Sequence, residues 1–102
     1  MPFGLSPAVI EEIRGVFRKH ANVEQAILFG SRAKGNFSEG SDVDLALVGQ
    51  APFSSRELSD IALQLDDLGL LYKIDLIDRA AHAATPLGEH VARVGKIFYA
   101  RD

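Results

Sequence analysis

The chain has 102 residues, of which 47% are hydrophobic and 25% charged, a balance typical of a globular protein rather than a disordered or membrane-spanning one. The net charge is −3 and no basic run is present, which argues against direct nucleic-acid binding. The absence of cysteine excludes disulfides and thiolate metal sites. Neither a leader pattern nor an apolar stretch of roughly 20 residues occurs, so we expect one cytoplasmic domain over residues 1–102, away from any membrane.

The first half of the chain predicts one helix and two strands. Ser6 and Pro7 form a favoured helix start, and apolar residues at helical spacing continue the pattern over residues 7–19. The short apolar run 25–29 predicts a buried strand, and 42–48 predicts a second one. A loop rich in serine and glycine separates the two strands, with room for at most a short helical turn.

The second half predicts two helices and two strands. A capping-box pattern precedes an apolar stripe and predicts a helix over 55–68. The continuous run 70–77 predicts a third, central strand. A Thr-Pro pair predicts a last helix from Pro86, and the tail 96–102 predicts a short edge strand. The expected architecture is an α/β layer of few strands backed by helices.

Three aspartates stand where strands should be apolar. Asp42 and Asp44 are two residues apart and therefore share one face of the second strand, and Asp75 can meet them if the third strand is its neighbour. An Asp-x-Asp pair alone more often caps a turn. Three converging carboxylates would repel unless neutralised, and such hard ligands suit Mg²⁺ completed by substrate phosphates. We expect Asp42 and Asp44 to bridge two Mg²⁺ ions, and Asp75 to bind one ion and help deprotonate an attacking hydroxyl.

The turn after the first strand has the composition of a phosphate-binding site. Gly30 lets the backbone approach a ligand, and Ser31 offers a hydroxyl and an amide where a short helix begins. Arg32 and Lys34 add positive charge beside the acidic cluster. The pattern predicts that these four residues hold the phosphates of a nucleotide.

Taken together, residues 30–35 (GSRAKG), 41–45 (SDVDL) and 74–76 (IDL) resemble the minimal nucleotidyltransferases (MNT domains) of the DNA polymerase β-like superfamily. The resemblance extends to the end of the chain, through residues 86–99. It implies a small mixed sheet with helices packed on it, Mg²⁺ at the three aspartates, and ATP gripped around the Gly-Ser turn. One departure is Lys34, where the family often has arginine, which gives up a bidentate phosphate contact.

The resemblance also implies a partner. Stand-alone members of this length commonly act as the antitoxin of a small helical HEPN toxin, moving AMP from ATP to a tyrosine of that toxin with release of pyrophosphate. A chain of about a hundred residues leaves little surface for an acceptor pocket of its own. Two alternatives stay open: nucleotidyl transfer to a small hydroxylated molecule, and a non-catalytic module that occludes its partner.

Two further sets of residues invite a functional interpretation. The three histidines share no metal-ligand spacing, so surface or capping roles are expected for all of them. Apolar residues near the end of the chain predict an interface, either with a partner or in a homo-oligomer. The histidines are His20, His82 and His90, and the terminal residues are Ile97, Phe98 and Tyr99.

Overall fold

The computed structural model describes residues 2–102, in which helices and strands alternate along the chain. Within this range, no helix has both the length and the apolar character that crossing a bilayer requires. The elements are α1 (Pro7–Arg18), β1 (Val23–Phe29), α2 (Ser31–Lys34), β2 (Val43–Gly49), α3 (Ser55–Asp66), β3 (Ile74–Asp78), α4 (Pro86–Val94) and β4 (Lys96–Ala100).

The three longer helices begin at the caps that the sequence predicts. The Ser6 hydroxyl accepts a hydrogen bond from the Val9 amide at 3.2 Å, and Ser54 does the same for Glu57 at 3.0 Å. Thr85 caps α4 in the same way. Each hydroxyl satisfies an amide that has no partner inside its own helix, which fixes where the helix starts. Helix α3 ends at Asp66, two residues before the predicted end.

The sheet is mixed, with the strand order β3-β2-β1-β4. Strand β1 is antiparallel to both β2 and β4, whereas β2 and β3 run parallel. The predicted edge strand in the tail is confirmed, but the predicted central position of the third strand is wrong. Strand β4 pairs with β1 and forms one edge of the sheet. Strand β3 pairs with β2 alone and forms the other edge. It begins at Ile74, four residues later than predicted.

The two faces of the sheet are covered unequally. Helices α1 and α3 pack on one face and bury the larger hydrophobic cluster, which includes Val43, Leu45 and Leu47 of β2. Helix α4 covers the other face through a smaller cluster around Ala46 and Val91. Side chains alternate along β2, so a single strand contributes to both faces. Asp44 and Ala46, which alternate with these buried residues along β2, therefore point toward α4.

Candidate active site

The sheet brings two of the predicted carboxylates together. Asp44 and Asp75 are paired in register across the parallel strands β2 and β3. Neighbouring strands lie about 4.8 Å apart, and paired residues project from the same face. Asp42 immediately precedes β2 and is exposed, whereas Asp44 and Asp75 are partly buried. Asp44 and Asp75 therefore lie side by side near the start of β2, and Asp42 lies two residues before Asp44.

The electrostatics of Asp44 reflect this crowding. Burial raises the pKa of the Asp44 carboxyl above its ordinary value, and the charges of Asp75 and Asp42 raise it further. His90 acts in the opposite direction and lowers the same pKa. The neighbouring carboxylate, Asp75, forms an exposed ion pair with Lys73, whose Nζ lies 3.7 Å from Asp75 Oδ1. A carboxylate in this position is destabilised as an anion until a cation approaches it.

The Gly-Ser turn lies directly against the Asp44 carboxylate. Strand β1 ends at Phe29, which pairs with Asp44 across the antiparallel ladder. Gly30 follows with φ of 75°, a conformation that residues with a Cβ rarely adopt. A Cβ added at Gly30 would overlap Asp44 Oδ2. Two features therefore favour glycine at position 30: the positive φ of the turn, and the Asp44 carboxylate, which occupies the space that a Cβ would need.

The Arg32 side chain is turned into the protein. The residue is 2% exposed, and its guanidinium donates to backbone carbonyls of the loop that leads to Asp42 and to one near the N-terminus. Two donors reach Ser41 O at 3.1 and 2.9 Å, a third hydrogen bond reaches Glu39 O at 3.1 Å, and a fourth reaches Phe3 O at 2.8 Å. These bonds engage four of the five N–H donors of the guanidinium and hold it inside the protein, so nucleotide binding by Arg32 stays a prediction.

The same guanidinium lies between two aromatic rings. Its central carbon is 5.0 Å from the ring centroid of Phe37 and 4.9 Å from that of Tyr72. Phe37 belongs to the loop before Asp42, and Tyr72 to the segment before Asp75. Arg32 therefore ties together the two segments from which the carboxylates emerge, through cation–π contacts and hydrogen bonds.

The other residues predicted to hold nucleotide remain accessible. Ser31 is partly buried at the first position of α2, and Lys34 is exposed at the last. With Arg32 turned inward, Lys34 is the remaining cation of the predicted set. Nucleotide contacts by Gly30, Ser31 and Lys34 stay predictions.

His90 lies near the carboxylates, a placement that the sequence does not predict. It lies on α4 and is partly buried, with its ring 6.2 Å from that of Phe29 in an edge-to-face arrangement at 83°. Part of the signal was present: Leu87, Val91 and Val94 form the inward stripe of α4, and His90 lies on its flank. What the stripe does not reveal is which part of the sheet that flank faces. The expectation of a surface or capping role for His90 stays a prediction, and the structure places the side chain partly buried on α4.

The donor set suits a hard divalent cation. Within residues 2–102, no three Asp, Glu or His side chains already surround a common point, so holding an ion requires the carboxylates to turn toward it. Asp44 and Asp75 start from paired positions, which leaves that change to side-chain rotation. Carboxylate oxygens that repel one another are hard ligands of the kind that Mg²⁺ takes.

The fold resembles solved structures of toxin-antitoxin complexes. One is the crystal structure of a toxin-antitoxin with AMP-PNP, at 24% identity and a TM-score of 0.74, over 91% of this chain and 74% of that chain. Another is the toxin-antitoxin MntA-HepT, at 22% identity and a TM-score of 0.70, over 94% of this chain and 74% of that chain. A third is the tri-AMPylated Shewanella oneidensis HEPN toxin in complex with MNT antitoxin, at 22% identity and a TM-score of 0.69, over 92% of this chain and 71% of that chain. At these identities the likeness establishes the fold.

The family follows from a different comparison. A search of characterised protein sequences finds no match. A family model described as polymerase beta, nucleotidyltransferase matches residues 11–102, which include the Gly-Ser turn and all three aspartates. Because this match spans most of the chain and agrees with the mixed sheet, the chain belongs to the polymerase beta nucleotidyltransferase family.

Proposed function

We propose that residues 1–102 act as a single minimal nucleotidyltransferase domain in the cytoplasm. It would move AMP from ATP, with Mg²⁺, to a tyrosine hydroxyl of a HEPN-type helical partner and so act as the antitoxin of that partner. The observation that carries this proposal is the register pairing of Asp44 with Asp75 beside Gly30. Two carboxylates on one face, next to a glycine turn at the start of a short helix, support metal-assisted nucleotidyl transfer.

The proposed chemistry assigns one task to each part of the site. Asp42, Asp44 and Asp75 would hold the Mg²⁺ ions. When bound, the ions neutralise charge on the triphosphate and on the leaving pyrophosphate. Gly30 and Ser31 would support the phosphates through backbone and hydroxyl groups, and Lys34 would contact them from the exposed side.

The transfer step then balances as follows. The acceptor hydroxyl oxygen attacks the α-phosphorus of ATP, and Asp75 receives the hydroxyl proton. The bond between the α-phosphorus and its bridging oxygen breaks, and that oxygen leaves with the electron pair in pyrophosphate. AMP stays on the acceptor as a phosphodiester. Asp75 suits the proton because it lies at the sheet edge, where an acceptor side chain can approach.

The partner is proposed from two observations. The similar structures are toxin-antitoxin complexes, one with an MNT antitoxin and an AMPylated HEPN toxin. In this chain Asp75 lies on the edge strand β3, Asp42 is exposed, and Leu71, four residues before Asp75 in the chain, is 95% exposed. An open site of this kind suits an acceptor that is itself a protein and brings its own complementary surface.

The proposal is tested by following the α-phosphate. The chain is incubated with α-phosphate-labelled ATP and Mg²⁺ in an extract of the native host, alongside D42N/D44N and the control D60N, which alters an exposed carboxylate on α3. We expect label on one small protein with the wild type and D60N, and a loss of at least about 100-fold with D42N/D44N. ATP labelled at the γ-phosphate should give no label that is present with the wild type and absent with D42N/D44N, because the γ-phosphate leaves in pyrophosphate.

Other outcomes redirect the proposal. Label in a small-molecule fraction would indicate a small hydroxylated acceptor. If no label is transferred while both the wild type and D42N/D44N bind and inhibit the same partner, the chain is an occluding module and the catalytic proposal is refuted.

A further inference from the structure

We propose that His90 binds the terminal phosphates of the nucleoside triphosphate. This inference rests on the proposed function, because it assigns a further binding residue to the same site. His90 would supply a phosphate donor in place of Arg32, which the sequence predicts for this task and whose side chain is turned inward.

The first argument is position. The His90 ring packs edge-on against Phe29, the residue directly before Gly30. Phe29 is also the register partner of Asp44, whose carboxylate fills the space next to Gly30. His90, the glycine turn and the central carboxylate therefore form one corner of the sheet, reached from α4 on one side and from β1 on the other.

The second argument is the place of the carboxylate. Phe29 lies between His90 and Asp44, because it contacts the His90 ring and pairs with Asp44 in the sheet register. Phosphate oxygens coordinated by the same cations as Asp44 would come to this corner, since Mg²⁺ joins carboxylates and substrate phosphates in one coordination shell.

The third argument is hydrogen-bonding capacity. The His90 ring nitrogens make no hydrogen bond to any other residue in the range 2–102, although the side chain is partly buried. His20 provides a contrast, because its Nε2 lies 3.2 Å from Gln64 Oε1. An imidazole always carries at least one N–H, so His90 has a donor to offer a phosphate in either tautomer.

The alternative is that His90 only packs against Phe29, and H90F separates the two roles. Phenylalanine keeps an aromatic ring on Phe29 but removes both nitrogens. The matched control is H82F, which makes the same change at a partly buried histidine in the turn before α4. H90Q restores a donor without the ring and provides a test of rescue.

The measurement is the Kd for a non-hydrolysable ATP analogue and for AMP, each with Mg²⁺, by calorimetry on variants that melt cooperatively. We expect H90F to weaken the triphosphate analogue about tenfold and AMP less than about twofold, with H90Q intermediate and H82F equal to the wild type. Equal affinity of H90F and the wild type for the analogue would overturn the inference. An equal loss for both nucleotides would do the same, because it would indicate a general disturbance.

Failure of the proposed function gives a different pattern. If the wild type binds neither nucleotide with Mg²⁺, both the function and the role of His90 are refuted. If the wild type binds the analogue and labels its partner while H90F behaves identically, the function stands and only the role of His90 is lost.

Discussion

The two faces of β2 differ in what they contribute. On the side of α1 and α3, Val43, Leu45 and Leu47 are fully buried and belong to the main core. On the side of α4, Asp44 is partly buried among other carboxylates, two residues before the apolar Ala46. The strand is thus anchored on one face while its first residues on the other face carry the candidate chemistry.

This division has a consequence for stability and function. Burying the core face supplies the free energy of folding, and crowding carboxylates on the other face costs part of it. A substitution on the core face should therefore lower stability and spare the site chemistry of the folded molecules. A substitution on the carboxylate face should change the chemistry and leave stability unchanged or improved.

The largest effect on stability is expected from L45A. Leu45 is fully buried, and truncating it leaves a cavity at the centre of the main core, so we expect a loss of about 2–5 kcal/mol in the free energy of unfolding. Urea unfolding followed by circular dichroism measures this loss. The control is L63A, which removes the same atoms from a leucine that is 61% exposed on α3. Equal losses in the two variants would contradict the assignment of the core face.

A smaller effect is expected from G30A, in the turn after β1 that lies against Asp44. The positive φ and the overlap with Asp44 should cost about 1–3 kcal/mol and displace the carboxylate. We therefore expect a lower melting temperature together with a loss of nucleotidyl transfer in the folded protein. G35A is the matched control, because Gly35 also has positive φ (85°) but has open space where its Cβ would lie. Equal losses of transfer in the two variants would contradict the proposed contact.

The sequence predicts most of the fold because its determinants are local. Helix caps such as Ser6 and Ser54 and the apolar periodicity placed every long helix, and alternation in β2 assigned its two faces. Local patterns do not determine the order of strands. The edge position of β3 depends on β4 pairing with β1, a contact between distant parts of the chain.

The same distinction separates the site residues. The pairing of Asp44 with Asp75 needed one assumption, that their strands are neighbours, and the structure meets it. The inward turn of Arg32 depends on carbonyls at Phe3, Glu39 and Ser41, which no local pattern brings together. The sequence pattern, a charged residue next to a glycine turn, is the same whether the charged side chain faces a ligand or the protein interior. Only the three-dimensional contacts decide between these roles.

The smallest expected effect concerns stability and pH in the absence of metal. Because burial and neighbouring carboxylates raise the pKa of Asp44 in the folded state, the folded state binds this proton more tightly than the unfolded state. Ionised Asp44 therefore costs stability above its raised pKa, and the cost disappears as the pH falls toward the ordinary value of 3.8. D44N removes the cost, so in EDTA at neutral pH it should melt above the wild type, by a margin that shrinks with acidification.

Addition of Mg²⁺ should reverse the order. A cation that binds the folded wild type stabilises it by mass action, and D44N has lost one of the ligands. Thermal unfolding of both proteins from pH 8 to pH 4.5, with EDTA or with Mg²⁺, measures the two effects together. D60N should follow the wild type under every condition, because its carboxylate is exposed on α3. A wild type that is more stable than D44N in EDTA at neutral pH would mean that Asp44 is paired favourably in the metal-free fold, and the carboxylate face would then stabilise the molecule instead of costing stability.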